Sequence, residues 1–286
     1  MKVLKVDYLA DDAAQQFSKS LRETGFAVIE NHNISKDLVT KVYAQWQEFF
    51  ESERKLDFPY DNAAQDGYFP KGTEVAKGYS IGDLKEFYHI YPKGRIPEEL
   101  KEATFELREQ MYKMAKRLLD MIESELPTGI AQSLDMPLSH MVSNDRTLFR
   151  TIYYPAFDGT EEKGAIRAAA HGDINLITLL PAASADGLQV QDINDNWHDV
   201  PCDFGNISIN AGDMLDMATK GYYPSTVHRV INPNESKQST PRLAVPLFLH
   251  PKADVQVEPG FTAEQYLNQR LQEIGIREVK EEAIAE

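Results

Sequence analysis

The stretch AIRAAAHGDINLITLLPA, residues 165–182, sets a polar His-Gly-Asp sequence between two short apolar runs. Each run has the length of a β-strand. Similar runs recur from about residue 147 to residue 250, and the turn residues Gly, Pro, Asn and Asp separate them. This spacing predicts about seven or eight strands and favours a sandwich or a jelly roll.

The first half of the chain has a different pattern, which is mostly that of helices. A short amphipathic helix is expected at residues 13–24, and FAVIE at residues 26–30 has the length of a strand. A serine can cap a second helix over residues 35–52, and a longer helix is expected between the prolines of residues 97–127. Apolar residues, several of them methionines, recur every three or four positions along the longer helix, which indicates core packing.

Two further segments complete the pattern. Residues 67–97 mix glycines, prolines and aromatic residues without a clear period, so a loop with short strands is expected there. The segment TAEQYLNQRLQEIG, residues 262–275, predicts a closing helix in which Thr262 and Gln265 form a capping box. A charged, solvated tail follows this helix.

The overall composition narrows the class of protein. The chain has 286 residues and a formal net charge of −15, from 30 basic and 45 acidic residues. Because a negative field of this size repels phosphate backbones, nucleic acid is not expected as a partner. No apolar stretch approaches the roughly 20 residues of a membrane helix, and the N-terminus lacks the apolar run of a signal peptide. The single cysteine, Cys202, excludes an intramolecular disulfide framework, so we expect a cytoplasmic protein with no membrane partner.

A set of metal-binding side chains can be placed on these strands. His171 and Asp173 are two residues apart at the end of an apolar run, so both can point into one cavity. A third ligand from another strand would complete the set, and His228 in STVHRVI is the natural candidate. Two histidines and one carboxylate with open positions are typical of non-haem iron(II) oxygenases.

Several segments together carry a family resemblance, and they cover nearly the whole chain apart from the acidic tail. They are FAVIENHNIS (26–35), DLKEFYHIYP (83–92), YYPAF (153–157), HGDINLITLLP (171–181), GLQVQD (187–192), NWHDVP (196–201), NISINAGDMLDMATKGYYPSTVHRVINP (206–233) and PRLAVPLFLHP (241–251). The chain resembles the isopenicillin N synthase-like branch of the iron(II)/2-oxoglutarate-dependent dioxygenases. The resemblance implies a mainly β fold with flanking α-helices, whose double-stranded β-helix (jelly roll) core packs on the long helix. It also implies that His171, Asp173 and His228 are the iron ligands.

The resemblance implies two co-substrate contacts as well. Arg242 matches the arginine that binds the far carboxylate of 2-oxoglutarate, and Tyr154 matches a tyrosine whose hydroxyl reaches the same molecule. A planar guanidinium can bind a carboxylate through two parallel hydrogen bonds. The family usually has Arg-x-Ser here, whereas this chain has Ala244 in the serine position. Loss of a neutral hydrogen bond, worth ~0.5–1.5 kcal/mol, would weaken the co-substrate by ~2–10-fold.

Other polar residues have weaker indications. Arg167 lies four residues before His171, so in a regular strand it shares the inward face and could bind an acidic substrate or pair with a carboxylate that shapes the pocket. By resemblance alone, the substrate entrance is lined by Lys85, Phe87 and His89. The remaining polar candidates are expected to be structural, turn or supporting residues: His32, His140, His198, His250, Asn210 and Asp213.

The resemblance implies an enzyme, a dioxygenase that couples decarboxylation of 2-oxoglutarate to oxidation of a small molecule. Ferrous iron, 2-oxoglutarate and dioxygen would be its cofactor and co-substrates, and catalysis would run through the metal centre only. Hydroxylation, desaturation and cyclisation all stay open as outcomes, as do the main substrate and the oligomeric state. Two alternatives also stay open: an iron oxidase of the isopenicillin N synthase type, which needs no 2-oxoglutarate, and a non-catalytic jelly-roll protein that holds zinc or nickel.

These expectations divide the chain into three regions. The helical and mixed N-terminal region is assigned to residues 1–130, and the jelly-roll oxygenase core to residues 140–252. The closing helix and the acidic tail occupy residues 260–286.

Overall fold

The computed structural model describes residues 1–75, 81–201, 203–234 and 238–273. The expectations for Cys202 and for the acidic tail therefore lie outside the described residues. The helices are α1 (Ala13–Thr24), α2 (Lys36–Glu51), α3 (Glu98–Ser124), α4 (Thr128–Ala131), α5 (Leu138–Met141), α6 (Asp213–Ala218) and α7 (Ala263–Glu273), with a 3-10 turn at Glu53–Asp57. The strands are β1 (Lys5–Asp7), β2 (Phe26–Glu30), β3 (Gly67–Phe69), β4 (Glu86–Ile90), β5 (Leu148–Tyr154), β6 (Ala168–His171), β7 (Ile177–Pro181), β8 (Leu188–Gln191), β9 (Trp197–Asp199), β10 (Ile207–Ala211), β11 (His228–Val230), β12 (Arg242–Ala244), β13 (Leu247–Leu249), β14 (Gln256–Glu258) and β15 (Phe261–Thr262).

The predicted helices begin and end close to the expected residues, and the local reasons are visible. Gly25 ends α1 in the left-handed conformation, with φ at 69°, which glycine adopts without steric cost. The Ser35 hydroxyl accepts a hydrogen bond from the Leu38 amide and caps α2. At α7 the capping box is confirmed, since the Thr262 amide donates to Gln265 Oε1 at 2.8 Å and the Gln265 amide donates to Thr262 Oγ1 at 3.3 Å.

Two sheets make up the core of the fold. The larger sheet has the order β1-β2-β10-β7-β13-β5-β4-β3, and β12 also pairs with β5. The smaller sheet has the order β6-β11-β8-β9. The fold is thus mainly β with flanking helices, as predicted.

Two local features differ from the sequence expectation. The run RLAVPLFLH forms the two strands β12 and β13 rather than one, because Pro246 between them has no N–H for a sheet hydrogen bond. Asp213, expected in a turn, instead begins the short helix α6. Acidic residues in the first turn of α6 favour that helix electrostatically.

The long helix α3 packs against α1, α2 and the strands β7 and β13. Its methionines Met111 and Met114 are buried, which confirms that the methionine stripe is core. Trp46 of α2 is fully buried, and its indole N–H donates to the Thr104 hydroxyl of α3 at 3.0 Å. The two helices are therefore joined by packing and by one buried hydrogen bond.

In the part of the chain that the structure describes, no helix has the length and apolar character needed to cross a membrane.

Replacing Thr104 with Val should leave the buried Trp46 N–H without a partner. An unsatisfied buried donor costs about 1–3 kcal/mol, so the free energy of unfolding measured in urea should fall by about that amount. Thr104→Ser keeps the hydroxyl and should lose clearly less. A Val variant as stable as the wild type would contradict the assigned role of this hydrogen bond.

Candidate metal centre and active-site cavity

The strands β6 and β11 bring two histidines face to face. They run antiparallel, and His228 lies directly opposite His171 in the register. The two imidazole centroids are 4.5 Å apart. Asp173 follows β6 by two residues, and one donor atom from each of His171, Asp173 and His228 lies within 4.8 Å of the others. The structure therefore brings together the three residues that the sequence singled out.

A hydrogen bond orients each imidazole ring and leaves the other nitrogen of that ring available for a ligand. Nδ1 of His171 donates to the carbonyl oxygen of Ala169 at 2.7 Å, and Nδ1 of His228 donates to that of Thr226 at 3.2 Å. These bonds favour the tautomer in which each Nε2 carries a free lone pair. Burial, and then the neighbouring His228, lower the pKa of His171 to about 4, so this ring is neutral near pH 7.

The carboxylate of Asp173 is oriented by two donors on the same oxygen. The Thr178 hydroxyl and the Asn210 amide, the latter at 2.7 Å, both donate to Oδ2. Oδ1 remains on the side of His228, 3.8 Å from Nε2. Burial by itself would raise the pKa of Asp173, but His228, His171 and the two hydrogen bonds outweigh it and lower the pKa. The group is therefore an ionised, fixed acceptor at neutral pH, and Asn210 has the supporting role expected for it.

The chemistry of this donor set fits a ferrous ion. Two imidazole nitrogens and one carboxylate oxygen approach from one side, which leaves other positions open for exchangeable ligands. The hydrogen bonds to both Nδ1 atoms and to Asp173 Oδ2 supply the outer support that metal sites of this kind commonly have.

A buried cation lies at the end of β5. Arg242 pairs with Tyr154 in the register of β12 with β5, and its side chain is only 2% exposed. Its Nε donates to the carbonyl oxygen of Ala185 at 2.9 Å, and its Cζ lies 5.0 Å from the centroid of the Tyr154 ring. Nη1 is buried and has no hydrogen-bond partner among the described residues. Because Nη1 can still donate hydrogen bonds, this guanidinium is suited to bind the carboxylate of a ligand.

A cavity of about 580 Å³ opens beside two of the three candidate metal ligands. His171 and Asp173 are part of its wall, and so are Lys85 and His89, two of the residues expected at a substrate entrance. Phe87 lies on β4 with His89, but the guanidinium of Arg150 covers its ring, with Cζ 4.5 Å from the ring centroid.

Lys85 and Arg167, the two cationic side chains proposed to contact the substrate, are both buried. The Lys85 ammonium is buried and paired with Asp83, at 2.7 Å, and with Glu74. The charge of Lys85 at the cavity wall is therefore already paired. Arg167 stands beside Arg242 and outside the wall of this cavity.

Three further residues line the cavity: Arg150 and Glu74, which sequence reasoning missed, and His250, which is expected to be structural. Arg150 Nε donates to His89 Nε2 at 2.9 Å, and its Nη1 lies 3.4 Å from the Glu74 carboxylate. The signal for Arg150 was present, because strand alternation puts it on the same face of β5 as Tyr154. Glu74 has no such signal, since it lies in an irregular segment.

Known families match both halves of the chain. The model of the 2OG-Fe(II) oxygenase superfamily matches residues 144–251, and that of the non-haem dioxygenase in morphine synthesis N-terminal region matches residues 5–114. Homoarginine-6-hydroxylase of Arabidopsis thaliana is 31% identical over 270 residues, which cover 87% of this chain and 79% of that protein. Gibberellin 2-beta-dioxygenase 3 of the same plant is 27% identical over 268 residues, which cover 89% of this chain and 77% of that protein.

A solved structure is similar over nearly the full chain. A Shewanella oneidensis protein described as an oxygenase is 47% identical, with a TM-score of 0.88, and the match covers 97% of this chain and 100% of that one.

The chain belongs to the 2-oxoglutarate–iron(II) oxygenase superfamily, as the resemblance indicated. It is an oxidoreductase, a dioxygenase that uses ferrous iron, 2-oxoglutarate and dioxygen to oxidise a small molecule. The predicted jelly-roll core is confirmed as well.

Replacing Asn210 with Ala should weaken ferrous-iron binding by about 10- to 100-fold, because Asp173 then loses one of the donors that orient it. Anaerobic calorimetric titration with iron(II) measures the effect. Asn194→Ala serves as the control, because Asn194 is exposed and its amide donates to Asp192 rather than to Asp173. This variant should bind iron like the wild type. Unchanged iron affinity in the Asn210 variant would show that the carboxylate needs no such support.

Proposed function

We propose that His171, Asp173 and His228 hold the ferrous ion of this dioxygenase. The observation that carries the proposal is the convergence of their donor atoms within 4.8 Å. The Nδ1 atoms of both histidines are already hydrogen-bonded, which leaves each Nε2 for the metal. No other side chain needs to act as a catalytic acid or base, so catalysis runs through the metal centre.

Arg242 and Tyr154 are proposed to hold the far carboxylate of 2-oxoglutarate. Burying an unpaired guanidinium is costly, and Arg242 Nη1 has no partner within the described residues. A carboxylate ligand would satisfy that nitrogen, whereas a purely structural metal protein gains nothing from the cation. The same feature disfavours an oxidase that works without 2-oxoglutarate.

When bound, ferrous iron and 2-oxoglutarate supply oxidising power from dioxygen, as 2-oxoglutarate becomes succinate and carbon dioxide. The chain keeps the space next to Arg242 and Tyr154 dry with an apolar cluster. Its buried members are Phe87, Ile152, Tyr154, Ala168, Val230 and Ala244. Val230 shares a strand face with His228 two residues earlier, so the cluster extends from the metal side to the co-substrate side.

The substrate itself is proposed to be small and to carry a polar acceptor that Arg150 binds. Arg150 lines the cavity beside His171, and Nη2 donates no hydrogen bond within the described part of the chain. Two relatives are named for homoarginine and for gibberellin, which are chemically unlike, so neither substrate transfers to this chain.

The wider setting is proposed from composition and pattern. The net charge of −15 argues against a nucleic-acid substrate. The single cysteine suits a reducing compartment, which supports a cytoplasmic location. Residues 140–252 are proposed as the oxygenase core, with residues 1–130 and 260–286 around it.

Anaerobic addition of 2-oxoglutarate to the iron(II)-loaded protein should produce a weak visible charge-transfer band, because the keto acid binds the metal directly. Titration of this band gives the dissociation constant. Arg242→Gln should raise that constant by about 10- to 100-fold, since a charge-assisted contact is lost. Arg117→Gln, on the exposed face of α3, is the matched control and should leave the constant unchanged.

Other outcomes of this titration, of metal-binding measurements and of an assay under oxygen would overturn the proposal. Iron binding without any band, together with oxygen uptake but no succinate, would favour the oxidase. Iron retained at full strength in His171→Ala would mean that the ligands are other residues. An absence of succinate release under oxygen with every candidate substrate, and tight zinc or nickel binding, would favour a non-catalytic metal protein.

A further inference from the structure

A second buried arginine lies beside Arg242. Arg167 immediately precedes β6 and is 1% exposed. Its Nη2 donates to the carbonyl oxygen of Thr240 at 3.1 Å, whereas Nε is buried and has no hydrogen-bond partner among the described residues. Burial, and then the neighbouring charge of Arg242, lower the pKa of Arg167 to about 10, so the side chain is still a cation at neutral pH.

The two arginines lie against the same aromatic ring. The Cζ atoms of Arg167 and Arg242 are 5.8 Å and 5.0 Å from the centroid of Tyr154. Among the described residues, neither guanidinium forms an ion pair with a carboxylate. Two buried cations close to each other are unfavourable, since both lose hydration and they repel. An anionic ligand would relieve both costs.

The strand that carries Arg242 offers no second donor at this place. Ala244, two residues on and thus on the same face, packs its methyl group in the apolar cluster with Ile152 and Val230. Arg167 and Arg242 also border a cavity of about 530 Å³, so there is space next to them. Two features therefore occur together beside Arg242. Position 244 has an alanine in place of the expected serine, and the guanidinium of Arg167 lies nearby without a carboxylate partner among the described residues.

We infer that Arg167 is a second anchor for the far carboxylate of 2-oxoglutarate and takes the part of the absent serine at position 244. The inference rests on the proposed function, in which Arg242 binds that same carboxylate. Arg167 Nε and Arg242 Nη1 each lack a partner, and a carboxylate has two oxygens that can accept from them. Arg167 is thus a co-substrate residue rather than a contact for the main substrate.

The test is the dissociation constant of 2-oxoglutarate, measured anaerobically on the iron(II)-loaded protein through its charge-transfer band. Arg167→Gln should raise the constant by about 10- to 100-fold, and Arg167→Lys, which keeps the charge, should raise it less. Iron(II) affinity measured without 2-oxoglutarate should stay at the wild-type value in both variants, which shows that the metal site is intact.

A serine added at position 244 gives a second, independent readout. Ala244→Ser in the wild-type background should change the constant by less than about twofold, because Arg167 already serves the carboxylate. In the Arg167→Gln background the same serine should recover about 2- to 10-fold of the lost affinity, the value of one neutral hydrogen bond.

Selectivity for the far carboxylate separates anchoring from a structural role. The keto acid 2-oxobutyrate lacks that carboxylate, so its affinity should fall little in Arg167→Gln or Arg167→Lys. An equal loss for 2-oxobutyrate and 2-oxoglutarate would overturn the inference, and so would an unchanged constant for 2-oxoglutarate. If the wild-type protein shows no 2-oxoglutarate band at all, the proposed function fails instead, which is a distinguishable result.

Discussion

The antiparallel pairing of β6 with β11 is the constraint on which the rest of the site depends. This register sets His228 opposite His171 and brings the ring centroids to 4.5 Å. Because side chains alternate along a strand, a slip of one residue would turn one imidazole away from the cavity. The carbonyl oxygens of Ala169 and Thr226 then fix the ring orientation, so the register and the tautomer are determined by the same local backbone.

The larger sheet supplies the other half of the arrangement. Asp173 is held by Thr178 of β7 and Asn210 of β10, two neighbouring strands of that sheet. On the same sheet, β5 carries Arg150 towards the cavity and Tyr154 towards Arg242 of β12. The larger sheet thus orients the Asp173 carboxylate and carries Arg150, Tyr154 and Arg242, whereas the smaller sheet carries both imidazoles.

Two kinds of sequence pattern predicted parts of the site: the alternation of side chains along a strand, and the long segments that resemble a known family. The pair at His171 and Asp173 came from strand spacing, and Arg242 with Tyr154 came from the family resemblance. Arg167 was harder, because it precedes the first residue of β6 and the alternation that would put it beside His171 does not extend to it. Glu74 meets Lys85 only through tertiary folding, so no local pattern could reveal this contact.

We propose that two imidazoles and one carboxylate bind a ferrous ion from one side. Anaerobic crystals of the iron(II)-loaded protein, measured with X-rays at the iron absorption edge, would locate this ion. We expect one strong anomalous peak bonded to Nε2 of His171, Nε2 of His228 and a carboxylate oxygen of Asp173, at roughly 2.0–2.2 Å as for other divalent metals with these ligands. A peak elsewhere, or a peak with the His228 imidazole turned away from it, would show that other residues bind the metal.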